Sequence, residues 1–236
     1  MQKPRSLRTL AVACMAVTVF SSYGTSQAPA TQEKLAALKQ SAAENKQRLM
    51  HYQWVETQQI TYKGDPKGTK QFLCQYGPDG QVTKTPIGGQ QAEQQQQGGK
   101  LRQRVAERKK EEMQDYMGDV KSIVALYVPP DPQKMQRAFQ AGNVSFARAD
   151  GAANLVFKNY AQPGDEMTVT FNQEAKKISH INVNTYTQSP DQVVTLAVQF
   201  ASLPDGTNYA QQTVLNAKAK DLIVTTTNSN YQKFAP

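Results

Sequence analysis

The residues able to do chemistry are few and scattered. The chain of 236 residues has two histidines, His51 and His180, and two cysteines, Cys14 and Cys74. The histidines fall in different elements, and neither has a His, Cys or carboxylate neighbour at ligand spacing. A zinc site needs three or four such ligands at short spacings, so no metal and no cofactor are expected. A pairing of Cys74 with either histidine stays open, although nothing around Cys74 resembles a nucleophile motif. Gly88-Gly89 and Gly98-Gly99 flank glutamines and lack the Lys-Ser/Thr of a phosphate loop. Asp79, Asp165 and Asp205 each sit beside Gly or Pro, where Asp is favoured for backbone reasons alone. The chain is read as having no catalytic residues and as not being an enzyme; a hydrolase assembled from scattered Asp, His and Tyr is the reading these residues support least.

What the chain offers instead is apolar surface in phase. Trp54 and Tyr62 share one side of an early strand, and Phe72, Cys74 and Tyr76 share one side of the next. Met167 and Phe171, then Val198 and Phe200, do the same later on. A helical stripe adds Met113, Met117 and Ile123. Side chains of this kind can wall a hydrophobic ligand or simply pack a core. The ligand-binding candidates are therefore Trp54, Tyr62, Phe72, Tyr76, Met113, Met117, Ile123, Met167, Phe171, Val198 and Phe200. Burying an acyl chain among them contributes ~0.8 kcal/mol per methylene, useful affinity without any catalytic group.

The elements that must position these residues are mostly strands. From Asp165 to Asn228 polar and apolar residues alternate in runs closed by turn signals at Asn172-Gln173-Glu174, Ser189-Pro190-Asp191 and Pro204-Asp205-Gly206. Period-two alternation with a turn every ten residues or so is the signature of an antiparallel meander with one buried face. Runs at 52–63, 69–76 and 81–85 predict three earlier strands, with a turn over Gly64–Gly68. Segments 143–150 and 154–160 predict two more. A sheet with one apolar face needs a cover. Thr31 to Met50 reads as an amphipathic helix with Leu35, Leu38, Ala42 and Leu49 on one stripe. A second helix starts at Lys100, solvated in its first half and apolar along Met113, Tyr116, Met117, Val120, Ile123, Val124 and Tyr127. Asp131-Pro132 is the start signal of a third. Residues 86–99, rich in Gln and Gly, read as a flexible loop. The fold class expected is α+β, a curved antiparallel sheet covered by helices.

The N-terminus reads as an address. Lys3, Arg5 and Arg8 precede an apolar run from Leu10 to Phe20, and Ala28-Pro29-Ala30 supplies small residues for cleavage before Thr31. That run is too short for a bilayer, which needs ~20 residues. Residues 1–30 are thus expected to be a signal peptide and 31–236 a single domain; an uncleaved anchor and a lipoprotein acylated at Cys14 are the alternatives. Cleavage leaves one cysteine, hence no internal disulfide in an exported protein. Removing three basic residues from 27 leaves a modest excess over 19 acidic ones. That balance suits weak contact with an anionic membrane surface, and no basic-aromatic interleaving points to nucleic acid.

The order of signal segment, helix, three strands, helices and long meander resembles the periplasmic lipoprotein-carrier superfamily of LolA and LolB. The closest local likeness is Asp165 to Leu203, with its Asn-Gln-Glu and Ser-Pro-Asp turns. The resemblance implies a strongly curved, unclosed half-barrel whose concave side is plugged by helices and holds acyl chains. Carriers of this kind have a strand arginine that pins the lid, and segments 53–63 and 69–76 contain none. The expectation is a periplasmic protein that binds a lipid, an acylated protein or another hydrophobic ligand in the concave face without catalysis. The alternative is a structural or protein-interaction domain of the cell envelope with a dry core.

Overall fold

The computed structural model describes residues 27–88, 100–149, 152–172 and 174–234. The expected signal segment, apart from its last four residues, and all of the Gln/Gly-rich run from 89 to 99 lie outside the described residues. Helix α1 (Gln27–Leu49) is followed by β1 (Tyr52–Tyr62), β2 (Asp65–Tyr76) and β3 (Val82–Ile87). Helices α2 (Lys100–Ala125) and α3 (Pro132–Gln140) come next. Seven strands complete the chain: β4 (Val144–Ala149), β5 (Ala152–Lys158), β6 (Glu166–Asn172), β7 (Lys177–Tyr186), β8 (Val193–Ser202), β9 (Asn208–Ala217) and β10 (Leu222–Lys233). No described helix is long and apolar enough to cross a membrane.

All ten strands form one antiparallel sheet in the order β3-β2-β1-β10-β9-β8-β7-β6-β5-β4. Every neighbour is adjacent in sequence except β1 and β10, whose pairing joins the opening meander to the last strand of the long one. The sheet does not close: β3 and β4 are its edges. This is the α+β antiparallel sheet with a helical cover expected from the alternation, and it is open as the resemblance implies.

Register explains where the core lies. Val144, Phe157, Met167, Val183, Leu196, Leu215, Val224 and Ile60 stand opposite one another in turn across eight strands. The parallel row through Phe146, Leu155, Val169, Ile181 and Val198 turns polar at Thr213, Thr226 and Gln58. The inner face is thus apolar from β4 to β8 and mixes polar and aromatic residues towards β10, β1 and β2. Because side chains alternate, a slip of one residue would put the whole row in water, so this pairing is strongly specified.

Helices α1 and α3 pack on the apolar part, against β4, β5, β7 and β9, and on each other. Leu35 and Leu38 of α1, Tyr116 and Val120 of α2, and Met135 and Ala138 of α3 join the buried cluster. Asp131 caps α3 as its sequence predicts, its side chain accepting from the amides of Gln133 and Lys134, with Pro132 in the first turn. Asn45 of α1 clamps Asn208 at the start of β9, donating to its carbonyl at 2.7 Å and accepting from its amide at 2.6 Å.

Three boundaries differ from the sequence expectation. The turn between β1 and β2 is only Lys63-Gly64, both at positive φ (52° and 80°), the mirror-image geometry that matches strand twist. Asp65–Gly68 therefore belong to β2. Pro86, expected to open the loop, lies within β3 opposite Phe72; an edge strand tolerates a residue with no amide to donate. Strand β10, expected to end near Thr227, runs on to Lys233 past a register shift opposite Gln53–Val55, where Asn230 takes a φ of 53°. Its polar run Asn-Ser-Asn-Tyr-Gln-Lys has no alternation to announce it; pairing with β1 holds it.

Candidate functional site

Ten of the eleven candidate residues lie in two places. Met167, Phe171 and Val198 are sealed in the helix-covered cluster at 2% exposure or less, with Met117, Ile123 and Phe200 partly buried against it. Met113, one turn nearer the exposed start of α2, is half-buried and outside that cluster. Trp54, Tyr62, Phe72 and Tyr76 belong to the other end of the same sheet face and are not part of that cluster either. Trp54 shares its side of β1 with Ile60, so both groups look onto the helix side.

At the β1 end, rings gather around Trp54. Tyr231 stacks on it at 5.5 Å between centroids and 10° between planes, and Tyr76 leans on it at 5.7 Å. Tyr209 meets Tyr231 at 4.4 Å, and Tyr52 meets Tyr231 edge-on at 6.2 Å. The Tyr52 hydroxyl donates to Asp205 Oδ2 at 2.6 Å, which holds that carboxyl well below the usual carboxylate range. Burial raises the Tyr76 and Tyr231 hydroxyls above their ordinary values.

Beside the rings lies a buried polar row. Glu56, 6% exposed, stands opposite Asn228 on one side and Phe72 on the other. Lys84 of edge strand β3 donates to both Glu56 carboxylate oxygens, at 2.6 and 2.7 Å, and Gln58 Nε2 adds a third bond at 2.7 Å. Cys74, wholly buried, stands between Trp54 and Lys84 in register. Burial, then the Glu56 charge, pushes its thiol up to about 11, which disfavours the thiolate that a nucleophile needs. Among the described residues, β1, β2 and β3 make most of their backbone contacts with one another and with β10. The inner side of these strands keeps half-buried Phe72, Tyr76 and Tyr62, with Lys84 and Val82 exposed beside them.

Sequence reasoning did not find Glu56, Lys84, Asn228, Tyr209 or Tyr231. A glutamate and a lysine 28 positions apart become partners only through the β1–β2–β3 register, and Tyr231 sits beyond the expected end of its strand.

Two concavities lie elsewhere. A shallow one of about 430 Å³ on the outer face is lined by Glu166, Thr168, Asn182, Asn184, Thr195 and Asn216 among others. One of about 350 Å³ lies between α1 and α3, lined by Lys39, Pro132, Gln133, Gln136 and Arg137. His51 and His180 are exposed in separate regions. Among the described residues no three His, Cys, Asp or Glu side chains gather where they could hold a metal ion.

No protein-family model matches the chain, and no curated protein matches it in sequence. Solved structures are similar in fold. A DUF1329 family protein from Desulfovibrio piger aligns with a TM-score of 0.43 and 10% identity over 89% of this chain and 94% of its own. A domain named for outer membrane lipoprotein sorting, from Vibrio parahaemolyticus, aligns with a TM-score of 0.43 and 7% identity over 86% and 93%. A LolA superfamily protein from Nitrosomonas europaea aligns with a TM-score of 0.40 and 10% identity over 89% and 94%.

Proposed function

We propose that the protein is an exported, periplasmic, non-catalytic binding protein, a single domain from residue 31 onward. It takes a lipid, an acylated protein or another hydrophobic molecule against the inner face of its open sheet. The observation that carries this reading is a second aromatic group on the inner face: Trp54, Phe72, Tyr76 and Tyr62 lie outside the helix-covered cluster, and Phe72, Tyr76 and Tyr62 stay half-buried. Apolar and aromatic surface with a few placed polar groups is what small-molecule sites are made of. Trp54, Tyr62, Phe72 and Tyr76 are the residues proposed to touch ligand directly. Met167, Phe171 and Val198 would line it only if the helices moved aside. Arg104 and Lys109, exposed on the first half of α2, are proposed to touch anionic lipid head groups.

One observation favours the second reading, a structural or protein-interaction domain with a dry core: the packing around Met167, Phe171 and Val198 is complete. Native mass spectrometry and organic extraction of protein purified from the periplasm separate the two. A stoichiometric lipid supports binding. Protein that carries no lipid and binds no added acyl chain is the result that would leave only the second reading.

A further inference from the structure

The outer face of the sheet from β6 to β10 is nearly free of charge. Strand pairing sets Glu166, Asn184, Thr195, Asn216 and Ile223 side by side in one outward row. A second row is Thr168, Asn182, Ala197, Val214 and Thr225, and a third runs from Thr170 through His180, Gln199 and Gln212 to Thr227. Glu166 is the only acid in these rows, and none of their residues is Lys or Arg, although 19% of the chain is charged. The alternate residues Met167, Val183, Leu196 and Leu215 are buried, so these rows point away from the helices.

The first two rows line the concavity of about 430 Å³, a volume in the range of small-molecule sites. Side chains directly opposed on neighbouring antiparallel strands stand about 4.5–5.5 Å apart at Cβ. Asn184, Thr195 and Asn216 therefore make one continuous polar edge. Ala197 and Val214, paired with each other, make an apolar floor beside it, and Asn182 closes the floor on the β7 side. Asn182, Asn184 and Ala197 are exposed, and Thr195, Val214 and Asn216 are half-buried, so all of them are open to a guest.

We propose that this concavity is a second binding site and takes a neutral saccharide. A primary amide offers a carbonyl acceptor and two N–H donors side by side, and neighbouring sugar hydroxyls offer the same mixture in return. Asn182, Asn184 and Asn216 supply three such amides, and the Thr195 hydroxyl lies between two of them. The C–H face of the ring rests on Ala197 and Val214. Other guests fit less well. An anion finds no Lys or Arg lining the cavity and meets Glu166, with Lys158 of β5 standing beyond it. An acyl chain finds only two small apolar side chains and would cover polar groups that it cannot pair. The site is on the opposite side of the sheet from the proposed acyl contacts and does not rest on them.

The test titrates isotope-labelled protein with maltose, cellobiose and N,N′-diacetylchitobiose and follows the side-chain amide resonances of Asn182, Asn184 and Asn216. At least one disaccharide should shift them saturably with a Kd of about 1 mM, as three or four modest hydrogen bonds allow. Asn184→Ala combined with Asn216→Ala should weaken that binding at least about fivefold. Thr195→Lys, which lays a long cationic side chain across the polar edge, should weaken it as much. Both variants should melt within a few degrees of wild type. Digalacturonate, a disaccharide with two carboxylates, should bind at least about threefold more weakly than the best neutral sugar. No saturable shift from any of the three neutral sugars at about 50 mM overturns the site. Sugar binding that both variants leave unchanged overturns it too, as does digalacturonate binding as tightly as the best neutral sugar. Shifts of the same resonances on concentrating the protein alone would make this face an interface between copies, and would also overturn the proposal.

Discussion

The Tyr127 hydroxyl donates to Asp165 Oδ2 at 2.6 Å inside the core and lies 2.8 Å from Thr185 Oγ1. Asp165, 2% exposed, also accepts from the amides of Tyr160, Ala161 and Gln162 in the turn before β6. One carboxylate thus closes the β5–β6 turn and ties the segment after α2 to the sheet. Burial, then this bond, raises the Tyr127 hydroxyl above its ordinary value.

Removing the two partners should have unequal effects. Tyr127→Phe keeps the ring and leaves Asp165 its amides, so it should cost about 1–2 kcal/mol, whereas Asp165→Ala strands several buried donors and should cost about 2–4 kcal/mol. Urea unfolding of the two variants measures this; a Tyr127→Phe protein as stable as wild type would show that the hydroxyl contributes nothing.

The Glu56–Lys84 pair should behave as a buried charge with one wet partner. Lys84→Met leaves a carboxylate that is 8% exposed in its side chain, but the lysine side chain is 42% exposed, so water can replace it in part. The expected loss is about 1–3 kcal/mol, less than for a fully buried pair. Adding Glu56→Gln should recover most of it. A double-mutant cycle reads the coupling, and two losses that simply add would contradict it.

Cys74 should be silent in the folded protein. A disulfide-forming thiol reagent should leave it unmodified at about pH 8 and label it fully in denaturant. Above the ordinary thiol value of about 8.5 the unfolded chain ionises first, so the stabilisation present at lower pH is lost as pH rises. The loss should run until about 11, where the folded thiol ionises. Cys74→Ala should flatten that part of the stability curve; an unchanged slope would assign it to tyrosines such as Tyr160, raised by burial to about 12.

The two groups of candidate residues should separate in function. Met167→Ala in the sealed cluster should cost about 2–5 kcal/mol and alter acyl binding only through loss of fold. Phe72→Gln on the half-buried aromatic strip should leave the melting temperature within a few degrees and weaken acyl binding at least about tenfold. Calorimetry on both variants checks this, and the reverse pattern would move the site under the helices.

Much of this architecture is written in local pattern. The alternation through Met167, Val169 and Phe171, and through Val194, Leu196 and Val198, specifies strands with one buried face, because each residue's side is set by a period of two. Asp131-Pro132 specifies a helix start through its own side-chain oxygen. These features need no distant partner. Residues with a local reason, such as Cys74 in phase with Phe72, were legible for the same cause.

The candidate site was legible only in halves. Trp54 and Phe72 show in the sequence as in-phase aromatics, but nothing local marks Tyr231 as the ring that stacks on Trp54, or Asn228 as the neighbour of Glu56. Those relations exist because β10 returns to pair with β1 across some 170 residues of chain, and a polar strand held by its partner carries no alternation of its own. By itself, then, the sequence determined the strands, their buried faces and the need for a helical cover, all consequences of short-range periodicity. Only the tertiary structure decided which stretch of the inner face lies outside the helix-covered cluster and which side chains meet there, because helix placement and strand pairing depend on contacts between residues far apart in the chain.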